Sequence, residues 1–415
     1  MPAVTVQASD KDTRTGRAAW LPVATAMFCC GWGGNQFTPL LVMYREAGYS
    51  VLVVDALLGA YVVGLIPGLL TVGRLSDRWG RRPVMVVGTA MSLAASGFIA
   101  LGETGVGWIA IGRFITGVGL AVAMSVGSSW LKELSEREPG AATDLGPRRS
   151  ALWLTLGLGI GPGVAGALAQ WAPWPMVLPF AVHMLLCAGA LLAVRHSPET
   201  VTPGAHGQVK THPKVPTELP RPRRGVRHPR FTRIILPMAP WIFGSVGVAY
   251  AIMPQVVGDK LGSWGLAYST FLTILTLGAG VGIQPLAKRL DRADSARAVL
   301  VALVVVTTGL ALSAATAALR SPWLAVGAAL VLGVGYGIAL VAGLLELERL
   351  APGDGLATLT GVYYTLAYVG FLLPATLAAL SSVFSYPAML LGLTAIAVAG
   401  FGVVLRNSAR HLPES

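Results

Sequence analysis

The sequence predicts an all-α integral membrane protein, with twelve transmembrane helices arranged as two parallel six-helix repeats. Three observations lead there. The composition is 54% hydrophobic and only 12% charged, about half the charged fraction of an average soluble domain. A soluble chain of 415 residues would form two or three domains, and too few polar side chains are present to cover them. Polar clusters divide the chain into twelve apolar runs, each near the ~20 residues that cross a bilayer as a helix. The second six runs then repeat features of the first six in the same order. The 51 glycines and 27 prolines suit this class, because both residues are more frequent in membrane helices than in soluble ones.

In chain order the spans are 19–44, 50–72, 83–102, 105–131, 149–171, 174–194, 233–257, 264–287, 297–319, 322–346, 356–381 and 385–405. Only helices and closed barrels span lipid, and the short alternating segments of a barrel are absent from the sequence. Polar residues run to Arg17, and the apolar run that follows is too long for a signal peptide, so an uncleaved first span is expected. The expected organisation is a cytoplasmic tail 1–18, a bundle 19–194, a linker 195–232, a second bundle 233–405 and a cytoplasmic tail 406–415. From Arg195 to Arg230 the chain holds seven prolines, four of the six histidines and the basic cluster Arg221, Arg223, Arg224, Arg227 and Arg230. Such a segment cannot bury a core and is expected to be a mobile linker. Its histidines are irregularly spaced, and Cys29, Cys30 and Cys187 lie in apolar runs without metal-ligand spacing. No metal, disulfide or cofactor is expected.

The repeat is visible residue by residue. Leu21-Pro22 and Pro39 recur as Leu236-Pro237 and Pro254, and Trp108-x-Ala110-x-Gly112 recurs as Trp323-x-Ala325-x-Gly327. Gly117-Val118-Gly119 recurs as Gly333-Val334-Gly335, and Asp77-Arg78 as Asp291-Arg292. A series in constant order at a nearly constant offset argues for a parallel duplication. Charge then orients it. The net charge is +12, and 27 of the 31 Lys and Arg residues fall on the side of the termini and linker. Arg45, Lys260 and Arg320 fall on the opposite side. The positive-inside rule places the basic side in the cytoplasm, making this a multi-pass plasma-membrane protein. Scattering the positive charge over many separate segments removes the basis for a nucleic-acid partner; the expected surroundings are the lipid bilayer.

Spans two and three are joined by Gly73-Arg74-Leu75-Ser76-Asp77-Arg78-Trp79-Gly80-Arg81-Arg82. The two glycines Gly73 and Gly80 allow a tight turn, and Asp77 can accept several hydrogen bonds. Arg78, Arg81 and Arg82 would anchor at an anionic surface. This string resembles the G-x-L-x-D-R-x-G-R-R loop of the major facilitator superfamily, and the duplicated twelve spans extend the resemblance over essentially the whole chain. The resemblance implies that the loop clasps the two halves on the cytoplasmic side, with Asp77 facing the start of helix eleven near Asp354 to Thr360. The second copy, Lys288-Arg289-Leu290-Asp291-Arg292, lacks both glycines, so the first is expected to dominate.

Arg113 is the one cation well inside a span. A charge in hydrocarbon is costly, so it should face the bundle interior and have a partner; Asp55 is the expected one. Arg113-x-x-x-Gly117-x-Gly119 is similar to the family's helix-four motif, which implies a part in proton coupling; snorkelling or helix packing would also account for the arginine. Gly157-x-x-x-Gly161-Pro162-x-x-Ala165-Gly166 sets small residues in a stripe beside a helix-bending proline. It resembles the family's antiporter motif, with Ala165 in place of one glycine, and so implies export. The family's cavity is lined by helices one, four, seven and ten, which points to Trp32, Asn35 and Gln36 on span one, Tyr250 on span seven and Tyr336 on span ten. Other carriers of a coupling proton are His183, Glu346 and Glu348, with the two glutamates expected to border the cytoplasmic loop.

The function these readings imply is a proton-coupled exporter of small amphipathic organic molecules, by alternating access. An importer of a nutrient or organic anion, with Arg113 on a substrate carboxylate, stays open here. A membrane sensor without transport is a third alternative. No HExxH, paired catalytic acids or Walker-type loop is present in the sequence, so neither an enzyme nor an ATP-driven pump is expected.

Overall fold

The computed structural model describes residues 19–138, 140, 142, 144–201, 226–292, 294–350 and 356–410. The tail 1–18, the linker arginines Arg221, Arg223 and Arg224, and Asp354 lie outside them. Among the described residues, twelve helical elements follow the twelve spans. They are α1 (Leu21–Asn35, continued by Leu41–Glu46), α2 (Val51–Trp79), α3 (Arg81–Ala100), α4 (Val106–Glu136), α5 (Leu145–Trp171) and α6 (Leu178–Val194). The second series is α7 (Phe231–Val256), α8 (Gly265–Leu290), α9 (Arg297–Leu319), α10 (Pro322–Leu350), α11 (Leu356–Val369, continued to Leu380) and α12 (Tyr386–Asn407).

Ten of the described helices are long and apolar enough to cross a membrane. α6, at 17 residues, sits at the short end of the spanning range. α1 is interrupted before Leu41, where Pro39 has no N–H to donate and disfavours helical geometry at Thr38. α4 and α7 contain π segments, Ala123–Gly127 in the first and Phe231–Ile235 and Val248–Ile252 in the second. The wider register of a π turn bulges the helix and commonly marks functional positions.

Two sequence expectations are corrected. Gly73 does not take part in a turn: α2 runs through it to Trp79, and only Gly80 turns, with φ +102°. An uninterrupted apolar-to-polar helix keeps its backbone hydrogen bonds through Gly73, so one glycine suffices for the reversal. Arg230, expected in the mobile linker, is fully buried and ion-paired with Glu346. Glu346 lies near the end of α10, four residues before Leu350, and is buried by this pair.

Packing gathers the chain into two compact units. One comprises Met1–Asn35, Pro67–Gly161 and Phe180–Lys210, and the other Gln36–Ile66, Pro162–Pro179 and Thr211–Ser415. The core of the first is built around Met27, Met85, Trp130, Leu131 and Cys187. That of the second includes Ile242, Leu303, Leu332 and Tyr363.

The duplication survives in helix contacts. In the first unit Gly157 of α5 abuts the backbone of Phe28 and Trp32 on α1. In the second, Gly370 of α11 abuts the backbone of Pro240 and Gly244 on α7. A Cβ at either glycine would collide with main chain, which cannot swing aside as a side chain can. Gly119 against Gly88 and Ser92 on α3 is matched by Gly335 against Val306 on α9. Association of helices in lipid relies on such close backbone approach.

Candidate functional site

The α2–α3 loop is built around Arg81. Its guanidinium lies 2.6 Å from Asp77 Oδ1 and 3.0 Å from Glu133 Oε1 on α4, and donates to Ser76. Glu199, from the chain just after α6, accepts the backbone N–H groups of Arg81 and Arg82 at 2.9 Å each. A carboxylate there satisfies orphan donors at the start of α3 and meets the positive end of its dipole. Partial burial works to raise the Glu199 pKa, but backbone donors from Arg82, Val201, Arg81 and Thr200 outweigh it and hold the carboxyl below its ordinary value. The Thr200 hydroxyl donates to Glu133, and the Trp130 indole to the Pro198 carbonyl at 3.1 Å. The side chains of Arg78 and Arg82 are exposed. Sequence reasoning missed Glu133 and Glu199; a solitary Pro-Glu at the head of a basic linker was the available signal.

Arg113 is buried in α4, with Nη1 3.4 Å from the Gly34 carbonyl of α1. Its expected partner, Asp55, instead makes its ion pair with Arg45, 2.6 Å from Oδ1. Charge placement alone puts Arg45 at the membrane surface opposite the termini. The break in α1 redirects the segment Leu41–Glu46 and brings Arg45 onto the start of α2.

The α5 motif serves two neighbours rather than one seam. Gly157 and Gly161 lie against α1 at Phe28 and Trp32, whereas Gly166 lies against Thr270 of α8. Pro162 is inside the helix between them. Asn35, a proposed cavity residue, donates to the Leu158 carbonyl of α5 at 2.9 Å. Trp32 is buried with its ring centroid 6.4 Å from that of His183. His183 Nε2 lies 2.9 Å from the Cys29 carbonyl and Nδ1 2.7 Å from Ser96 Oγ. A carbonyl only accepts, so Nε2 carries the proton and Nδ1 accepts from the serine. This is a packed, satisfied histidine. Gln36 is fully buried.

Tyr250 and Tyr336, predicted from different helices of the second repeat, meet in one aromatic cluster within the second unit. Phe243 stacks on Tyr368 at 4.2 Å and on Phe371 at 4.9 Å between ring centroids. Tyr336 lies 5.9 Å from Phe243, and Tyr250 6.3 Å from Phe371. Tyr61 of α2 meets Phe371 and Tyr368 edge-on, at 5.9 and 6.1 Å. Edge-on and offset aromatic contacts are the favoured ones. Sequence reasoning missed Phe243 and the α2 and α11 members. The signal was Tyr364, Tyr368 and Phe371, spaced i, i+4 and i+7 on one helical face.

The Major Facilitator Superfamily profile matches residues 23–375. The multidrug transporter MdfA of Yersinia pestis is 32% identical over 195 residues, 46% of each chain. The multidrug resistance protein MdtL of Shigella flexneri is 36% identical over 73 residues, 18% of each. The chain thus matches less than half the length of these relatives. Among solved structures, a D-xylose-proton symporter superposes with a TM-score of 0.70 at 14% identity, covering 96% of this chain and 99% of that one.

Proposed function

The chain belongs to the Major Facilitator Superfamily, and from that premise we propose that this multi-pass membrane transporter is a proton-coupled exporter of small amphipathic organic molecules. The observation that carries the substrate class is the aromatic cluster of Tyr61, Phe243, Tyr250, Tyr336, Tyr368 and Phe371. Rings from α2, α7, α10 and α11 offer flat apolar faces to a planar substrate, and the tyrosine hydroxyls offer a few polar contacts. Export is supported by the α5 motif and by two partial relatives named for multidrug transport.

The two halves 19–194 and 233–405 are the bodies that alternate, joined by the linker 195–232, with both termini in the cytoplasm of a plasma-membrane monomer. The Gly73–Arg82 loop gates the cytoplasmic side. Arg113 is the buried charge through which proton binding biases the equilibrium, since a change in a neighbouring charge acts strongly where the medium is apolar. Asp55, held by Arg45, is taken out of that coupling pair.

Everted membrane vesicles test this reading. Energised vesicles should accumulate a planar lipophilic dye, collapse of the proton gradient should abolish uptake, and Phe371→Ala should weaken it about tenfold, as loss of a buried aromatic contact does. Uptake that is indifferent to both the gradient and Phe371 overturns the proposal.

A further inference from the structure

Within the second unit, segments of the first six spans are fastened to helices of the second six. Arg45, between the first two spans and on the side opposite the termini by charge, is the centre of the fastening. One guanidinium nitrogen is 2.6 Å from Asp55 Oδ1, and both terminal nitrogens lie 3.4 Å from the Ala251 carbonyl. Ala251 belongs to the π segment Val248–Ile252 of α7, where the widened register disturbs regular carbonyl pairing. A second fastening is made by Gln170 at the end of α5. Its amide donates to the Ser263 carbonyl at 3.0 Å and accepts the Ala267 N–H at 2.8 Å, at the start of α8.

The Arg45 fastening is incompletely satisfied. Asp55 is fully buried, yet its Oδ2 and the Arg45 Nε have no hydrogen-bond partner among the described residues. The neighbouring polar groups do not complete it. Tyr386 of α12 faces both charges, and its hydroxyl is held by Gln255 of α7 at 2.8 Å. Glu46 points instead toward Gly265 of α8. A buried pair with spare hydrogen-bonding capacity is costly to keep closed, and separating it lets water reach both unpaired atoms. Such a contact holds one conformation without making it permanent.

We propose that Arg45, positioned by Asp55 onto the Ala251 carbonyl and assisted by Gln170, is the latch that keeps the non-cytoplasmic end of the transport path closed. The latch rests on the alternating-access reading above. Its opening frees α1 and α2 from α7, and α5 from α8. The Arg45 fork spans an acceptor on each side; a lysine in its place carries the same charge but is a point donor that cannot.

Spin labels at Ala47→Cys and Lys260→Cys, with Cys29, Cys30 and Cys187 replaced by alanine, report the separation of α1 from α7 in the purified full chain. The unmodified latch should give one short distance. Arg45→Leu with Asp55→Leu removes both charges together, leaves neither orphaned, and should populate a longer distance. Arg45→Lys serves if the double variant fails to fold, with about a fivefold rise in the open-to-closed ratio, the loss of roughly one hydrogen bond. Folded variants that keep the short distance alone overturn the latch. The readout needs no substrate flux: labels that separate in a protein that exports nothing would refute the exporter reading and leave the latch standing.

Discussion

Two ion pairs, each on a buried carboxylate, have opposite characters in this protein. Arg230 meets Glu346 through two parallel bonds, at 2.6 and 2.8 Å, and Arg349 adds a third to the same carboxylate at 3.1 Å. Its remaining donor reaches the carbonyls of Ser408 and Arg410 at 3.3 Å. Arg349 in turn pairs with Asp291, the second-repeat counterpart of Asp77. Arg45 and Asp55 share a single bond and keep an unpaired atom each among the described residues. The desolvation cost of two buried charges is recovered only when every lone pair and proton is used. The first pair is therefore a pin and the second a catch: burial alone says little about whether a charge pair is meant to separate.

The sharpest way to break this contrast is to remove half of the pin. Glu346→Ala strands Arg230 in the interior and should cost about 3–5 kcal/mol of stability, read as a large fall in the thermal midpoint of the detergent-solubilised protein. Arg230→Met with Glu346→Leu should recover most of that loss. A single variant that melts with the parent would erase the distinction. At the catch, Asp55→Asn retains an acceptor for Arg45 and should cost about 1 kcal/mol while changing transport kinetics more than stability. Parental flux with a collapsed midpoint in that variant would reverse the two roles.

An effect no larger is expected at Glu199, a half-buried carboxylate. Glu199→Ala should lose about 1 kcal/mol of helix capping at neutral pH. Because the folded-state pKa is depressed, this contribution is complete above the unfolded value of about 4.3 and disappears as pH falls through the lower folded value. Melting curves of parent and variant should hence differ at pH 7 and converge in acid. A constant gap across that range would remove the carboxylate from the cap.

Helix positions are legible in the sequence because lipid imposes length and apolarity on each span separately, and the second repeat repeats the first. Trp108 and Trp323, or Gly119 and Gly335, can be aligned without any knowledge of contacts. Partnerships are less legible. Asp55 and Arg113 sit in similar positions along their spans, which suggests a pair, whereas the bend after Asn35 delivers Arg45 to Asp55 instead. Arg230 reads as one more linker arginine, because nothing local to it announces a glutamate 116 positions later. Asn35 has the spacing of a cavity residue and spends its amide on Leu158. The aromatic cluster is visible only in part: Tyr250 and Tyr336 follow from the resemblance, and Tyr61, Phe243 and the α11 rings require the fold.

The last described residues also bear on how the protein can be handled. Ser408 accepts the Ala296 N–H through both its hydroxyl and its carbonyl, at 3.0 and 3.2 Å, and its carbonyl and that of Arg410 receive Arg230. Two residues just after α12, Ser408 and Arg410, thus tie down the starts of α7 and α9. A chain trimmed to Asn407 for crystallisation would lose these acceptors and destabilise the pin it was meant to preserve. An affinity handle or fluorescent reporter belongs beyond Arg410, on a spacer long enough to leave that stitch undisturbed.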